Sequence, residues 1–149
     1  MSNMIISEHD HDIIIDYIVS FVDMTSDLYH RDLEDCYEKN IGVPKRVLWD
    51  AIQDFTVCTM YFCKETLREH FPVIAFSDPF MMKESDVFSL IRIPDFSALE
   101  KYINTIGEND DMYFFDESYK WTFVITHEWN DKNRRYCICK KNASINKAI

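Results

Sequence analysis

From His9 to Met24 the chain reads HDHDIIIDYIVSFVDM, and Ile14, Tyr17, Ile18, Phe21 and Val22 recur at the 3.6-residue spacing of a helix with one buried face. Ser7 stands where an N-cap is expected, and acids crowd the first turn, where the helix dipole favours them. SDLYHRDLEDCYEKNIG puts Leu33, Cys36 and Tyr37 on one side and stops at Gly42, which predicts a shorter helix or an ordered loop. Pro44 suits a first helical turn, with Val47, Leu48, Ala51, Ile52 and Phe55 continuing the stripe across PKRVLWDAIQDF. FTVCTMYFC is rich in β-branched and aromatic types. Yet Phe55, Cys58, Thr59 and Phe62 keep helical spacing, and the period favours one long helix through TLREHF to Pro72.

Beyond Pro72 the period shortens. VIAF, a turn at SDPF, and DVFSLIRI with alternation at Val87, Ser89, Ile91 and Ile93 predict two strands. Asp95 is placed to cap a helix FSALEKYINTI, whose stripe is Phe96, Leu99, Tyr102, Ile103 and Ile106, before Gly107 ends it. GENDD reads as a loop. MYFF, KWTFVITHEW and RRYCICKK, joined by DESY and NDKN, have the grammar of an antiparallel meander. The expected architecture is α+β, with N-terminal helices packed on a C-terminal antiparallel sheet and one intervening helix. Its 149 residues make a single domain, 1–149, with 1–6 and 142–149 frayed.

Composition narrows the function. With Gly only at 42 and 107, neither a glycine-rich phosphate cradle nor a GxSxG nucleophile elbow can be built. The net charge of -10 is uneven: residues 1–40 hold ten acids against Arg31 and Lys39, and 108–129 hold six against Lys120. The last twenty residues hold Asp131 against six bases. Such a field opposes phosphate backbones and anionic membranes and attracts a basic protein. Five cysteines, Cys36, Cys58, Cys63, Cys137 and Cys139, form no CxxC pair, and MSNMIISEHDHD lacks the pattern of a secretory signal. No run approaches the roughly 18 apolar residues of a membrane span. A reducing cytoplasm is the compartment these features imply.

Chemistry finds few footholds. In a regular strand Trp121, Phe123, Ile125 and His127 share one face while Glu128 points the other way, so His127 and Glu128 converge only through a bulge. On that reading His127 closes the apolar face with one nitrogen bonded to backbone or a carboxylate. A small hydrolase-like or metal-dependent enzyme would have to be built on His127 and Glu128, with His70 or the Cys137-Cys139 strand. His9 and His11 make an exposed acidic cap rather than a metal site, and Cys137 and Cys139 read as small core residues. No metal and no cofactor is expected. The acids are better placed for binding: the carboxylates of the first helix from Asp10 to Asp27, with Asp32, Glu34, Asp35 and Glu38 and, in GENDD, Asp110 and Asp111, form a negative patch. Tyr29 and Tyr37 are its aromatic anchors, joined by Trp49 or Tyr113. An acidic DNA mimic blocking a nucleic-acid-binding protein is a further reading of the same charge.

The order IPDFSALEKYINTI, acidic loop, MYFFDESYKWTFVITHEW, over about residues 86–140, resembles a pattern of small bacterial α+β proteins, among them immunity proteins of polymorphic-toxin systems. The resemblance implies a cytoplasmic protein that binds and neutralises a cognate toxin without catalysis of its own. A basic nuclease toxin would suit the acidic charge, met by an active-site plug or an exosite cover. It carries over no individual functional residue.

Overall fold

The computed structural model describes residues 4–82, 86–130, 132 and 134–142. It is an α+β fold with a six-stranded antiparallel sheet. The chain, expected as a single domain, groups into two compact units: Met1–Gln53 with Asp78–Leu90, and Asp54–Ser77 with Ile91–Ile149.

The first unit is helical. α1 spans Glu8–Phe21 and buries Ile14, Tyr17, Ile18 and Phe21, as its period predicts. Ser7 sits at the N-cap but makes no side-chain cap bond; its carbonyl accepts the Asp10 N–H at 3.0 Å. Asp10 turns inward, where Oδ2 accepts the Leu90 N–H at 2.9 Å, so it is a buried fastener and no part of the surface charge. A π-helical turn, Tyr29–Leu33, runs into α2, Glu34–Tyr37, and the segment ends where Asn40 and Gly42 take positive φ of 58° and 75°. Asn40 ties this end to the chain's beginning. Its Oδ1 accepts the N–H groups of Ile5 and Ile6 at 3.0 and 2.8 Å, and its Nδ2 donates to the Ile6 carbonyl at 2.7 Å.

Ile5 and Ile6 are therefore buried and bonded rather than frayed. At the other end Asn142 donates its N–H to the Lys120 carbonyl at 2.7 Å; residues 1–3 and 143–149, also expected to fray, lie outside the described residues.

Three sequence expectations are corrected. No helix starts at Pro44: only a 3-10 turn, Leu48–Ala51, forms between extended Val47 and Ile52. The Asp78 carboxylate takes the Leu48 N–H at 2.7 Å, and Ile52 bridges to Val22 instead of continuing a helix. The long helix to Pro72 is broken at its start. Asp54 has φ of 57°, β1 is Thr56–Cys58, and Thr59 then caps α3, Met60–Leu67, by accepting the Phe62 N–H at 3.0 Å. The alternation expected at Val87, Ser89, Ile91 and Ile93 is inverted up to residue 91, where Phe88 and Leu90 are buried while Val87, Ser89 and Ile91 are exposed; Ile93 is buried as expected. Phe88 forms a parallel bridge with Ile6, a partner far away in sequence, and β3 shrinks to Ile91–Ile93.

The second unit holds the whole sheet. β2 is Val73–Ser77, β4 Met112–Phe115, β5 Trp121–Trp129 and β6 Arg135–Lys141; the spatial order is β1-β6-β5-β4-β2-β3. Register lines up Ala75, Phe114, Phe123 and Cys139 across four strands, and Met112, Ile125, Cys137 and Cys58 across four. These two rows form one core with Cys63 and Leu67 of α3 and with Leu99 and Ile103 of α4, Phe96–Asn104. Asp95 caps α4 by accepting the Ala98 N–H at 2.9 Å, a bond of about 1 kcal/mol in such caps. Arg68 lies 3.5 Å from the Phe96 ring centroid and so clasps α3 to α4.

Candidate functional site

The sheet alternation fails at the end of β5. Ile125 pairs with Cys137, but Trp129 pairs with Arg135, so three residues of β5 stand against the single Tyr136 of β6. The distortion is held from several sides. Thr126 donates its hydroxyl to the Tyr136 carbonyl at 2.6 Å and accepts the Glu128 N–H at 3.2 Å. Arg135 donates through Nε to the Thr126 carbonyl at 2.8 Å and through its two terminal nitrogens to the Gly107 and Asp110 carbonyls at 2.9 and 2.7 Å. Burial pulls the Arg135 pKa down while neighbouring Asp111 opposes that shift.

Inside this bulge His127 meets two carboxylates. Buried Asp111 accepts the His127 N–H at 2.8 Å and faces Nδ1 with both oxygens, at 2.9 and 3.1 Å. Nδ1 thus sits at hydrogen-bond distance from both Asp111 oxygens, and Nε2 turns towards Glu128 Oε1, 3.5 Å away. That last separation exceeds a hydrogen bond, and Glu128 is largely exposed. The nitrogen-to-carboxylate bond expected of His127 is present. The regular alternation that separates it from Glu128 is not, because the bulge brings the two side chains together. Chemically the group is an oriented imidazole between carboxylates, an arrangement that can hold or pass a proton.

The other sequence candidates disperse. His70 packs at a 46° tilt against Trp121, 4.8 Å between ring centroids, with Nδ1 4.0 Å from Asp116 Oδ2, which accepts the Trp121 Nε1–H at 3.1 Å. His9 is exposed while His11 bonds the Tyr37 carbonyl through Nε2 at 2.9 Å. Among the described residues no group of three or more His, Cys, Asp or Glu side chains is arranged to hold a metal ion. Cys58 stands opposite Cys137, and α3 adds Cys63 to the same core. Burial pushes the thiol pKa of Cys58 up to about 12 and of Cys137 to about 11, with neighbouring Cys139 and Cys137 adding to the Cys58 shift. Thiols so disposed are poor nucleophiles and pack as small hydrophobes.

The predicted negative patch needs redrawing. Tyr29 and Tyr37 are fully buried and cannot anchor a partner; the Tyr37 hydroxyl donates to Asp78 Oδ1 at 3.4 Å. Tyr113, also fully buried, stacks on Phe76 at 4.6 Å. Asp111 is buried against His127, whereas Asp110 is exposed, its carboxylate accepting the Gly107 N–H at 2.8 Å. Asp27 and Asp35 are exposed, and Asp32, Glu34 and Glu38 are half-buried. Within that segment Asp35 is paired with Lys39 at 3.0 Å and Glu34 with His30 at 3.2 Å.

On α1 the expected acids Asp12 and Asp16 follow Glu8 at i, i+4 on the exposed face, while Asp10 is buried. Like charges at that spacing destabilise a helix. Among the described residues no ion pair offsets them. Val19 continues the face at 66% exposure.

No family model, curated protein or solved structure matches this chain.

Proposed function

We propose that the chain is an acidic protein-binding inhibitor of the immunity type, which neutralises a basic toxin in the bacterial cytoplasm by covering part of its surface. The observation that carries this reading is where the charge resides. The first unit holds fourteen acids against five bases, a net -9, and the second holds twelve against eleven, a net -1. A field of one sign on one compact unit raises the encounter rate with an oppositely charged protein by about 10- to 1000-fold.

The exposed carboxylates of α1, with Asp27 and Asp35, supply the steering. Exposed Val19 and Ile41 supply apolar contact in place of the buried tyrosines. The self-repelling stripe on α1 costs the helix stability, which is the pattern expected where surface charge serves a partner rather than the fold.

The test is co-expression with basic toxin domains, beginning with any that the genes neighbouring this chain's are found to encode. Growth restored by the parent chain, and restored less by Asp12→Lys with Asp16→Lys at equal expression, supports the reading. Unrestored growth with no complex on gel filtration removes it. A DNA mimic is distinguished by competition, since duplex DNA displaces a mimic from its target's groove.

A second reading rests on the bulge. His127, oriented by Asp111 and facing Glu128, can act as a proton-transfer group in a small hydrolase-like enzyme. Hydrolysis of ester or phosphodiester substrates lost in His127→Gln supports it; identical rates in parent and variant eliminate it.

A further inference from the structure

We propose that the open edge of the sheet at β1 is a second docking surface, which takes an extended acidic segment of a partner protein as an added strand. The proposal goes beyond the inhibitor reading and stands independently of it.

Three observations converge there. β1 ends the strand order, so the hydrogen-bonding groups along its outer side face no strand among the described residues. An edge of this kind accepts a peptide in extended form, with the main chain giving affinity and alternate side chains giving choice.

Aromatic exposure points to the same place. The chain has 22 Phe, Trp and Tyr residues, all described, yet the exposed ones are Tyr61 at 73%, Phe62 at 51% and Trp129 at 46%. Phe62 lines one depression with β1 residues Thr56, Val57 and Cys58; Tyr61 and Trp129 line a second that shares Cys58 and Thr59. The first depression is a cleft of about 880 Å³. Val57 adds an exposed aliphatic side chain between them. Trp129 is steadied by Arg135, whose guanidinium lies 5.2 Å from the ring centroid and is itself fixed by three carbonyls. Such a ring is already ordered before a partner arrives, which lowers the entropy lost on binding.

Charge selects the occupant. Lys120, Lys140 and Lys141 border the first depression, and Lys132, Arg134 and Arg135 the second; Asp54 is the acid lining either. In a chain of net charge -10, six bases around one short strand form a local inversion of sign. An acidic segment carrying apolar residues at alternate positions complements both properties. A single-stranded nucleic acid would also use aromatic faces and bases. It would leave the backbone edge of β1 unused, which an extended peptide fills.

The experiment uses the full chain with a fluorescein-labelled octapeptide of alternating Glu and Val. A Lys/Val octapeptide and an oligo-dT of the same length are the comparisons. Saturable binding of the acidic peptide is expected, weakened by salt, with amide exchange slowed at the N–H groups of β1 that point away from β6. Lys120→Glu with Lys141→Glu, and separately Tyr61→Ser, each weaken it about tenfold. Tyr61 is so exposed that its replacement leaves folding intact, which keeps the test informative if the charge variant misfolds. Absent or unsaturable binding overturns the proposal, as do equal binding of the basic peptide, tighter binding of oligo-dT, or binding without protection of β1.

Discussion

The two compact units treat charge in opposite ways. The first keeps a net -9 and leaves three carboxylates in a row along α1 without a pairing cation among the described residues. The second is nearly neutral, packs its core between one sheet face and two helices, and gathers bases around one edge. Asp12 and Asp16, like charges one turn apart beyond the dipole-favoured first turn, are poorly explained by stability, whereas buried rows of Phe114, Phe123 and Ile125 need no other explanation. The contrast teaches where function is to be sought: on the surface of the first unit and at the edge of the second, not in either core.

The largest effect should come from the second unit's core. Phe114→Ala is expected to cost about 4 kcal/mol in urea unfolding, because a fully buried ring leaves a cavity in a row of paired strands. In the first unit the nearest equivalent is polar. Asn40→Ala removes three bonds to the backbone of Ile5 and Ile6 and puts Ala at a positive φ, for a loss of about 3 kcal/mol. A loss under about 1 kcal/mol for Asn40→Ala would show that the amino-terminal fastening is dispensable.

Asp111→Ala should cost about 2 kcal/mol, since it leaves the His127 backbone N–H and ring nitrogen without their buried acceptor. Glu128→Gln, exposed and 3.5 Å from the ring, should change unfolding by less than about 0.5 kcal/mol. If the two substitutions prove equally mild, the bulge is not held by Asp111.

Alkaline pH probes the buried thiols. Ionisation from an ordinary value of 9.0 is pushed up to about 12 for Cys58 and about 11 for Cys137 in the folded chain, so the unfolded state loses its protons first. Their contribution is therefore unaltered below pH 9 and turns against folding as pH rises from 9 towards 11 and above. Cys58→Val with Cys137→Val should flatten that fall in thermal midpoint; an unchanged slope assigns it to other groups.

How much of this was legible in the chain depends on how local the determinant was. α4 could be read because its cap, Asp95, and its stripe lie within a dozen residues, and β4 to β6 because turn residues punctuate alternating runs. Residues 54–59 misled because Thr59 fits a helix by spacing but acts as a cap once Asp54 takes a positive φ. The phase of Val87–Leu90 depends on Ile6 and Asp10, about eighty residues earlier, which no local period contains. Likewise the need for a bulge to join His127 and Glu128 followed from period-two geometry, while the bulge itself depends on Arg135 and Asp111, contributed by neighbouring segments. Tyr29 and Tyr37 looked like anchors because a tyrosine beside acids is amphipathic; burial decided otherwise.

Asp12→Lys with Asp16→Lys changes stability little and association most. The exchange turns the repulsion between positions 8 and 12 into an attraction and leaves like charges at 12 and 16, so α1 should gain no more than about 0.5 kcal/mol, seen as a slightly higher urea midpoint. The direct measurement is the association rate of this variant with the basic toxin domain by stopped flow, at low and at high salt. At low salt the rate should fall about tenfold or more with the dissociation rate little changed, and the difference should shrink at high salt. An association rate equal to the parent's at low salt would contradict the inhibitor reading of the acidic unit.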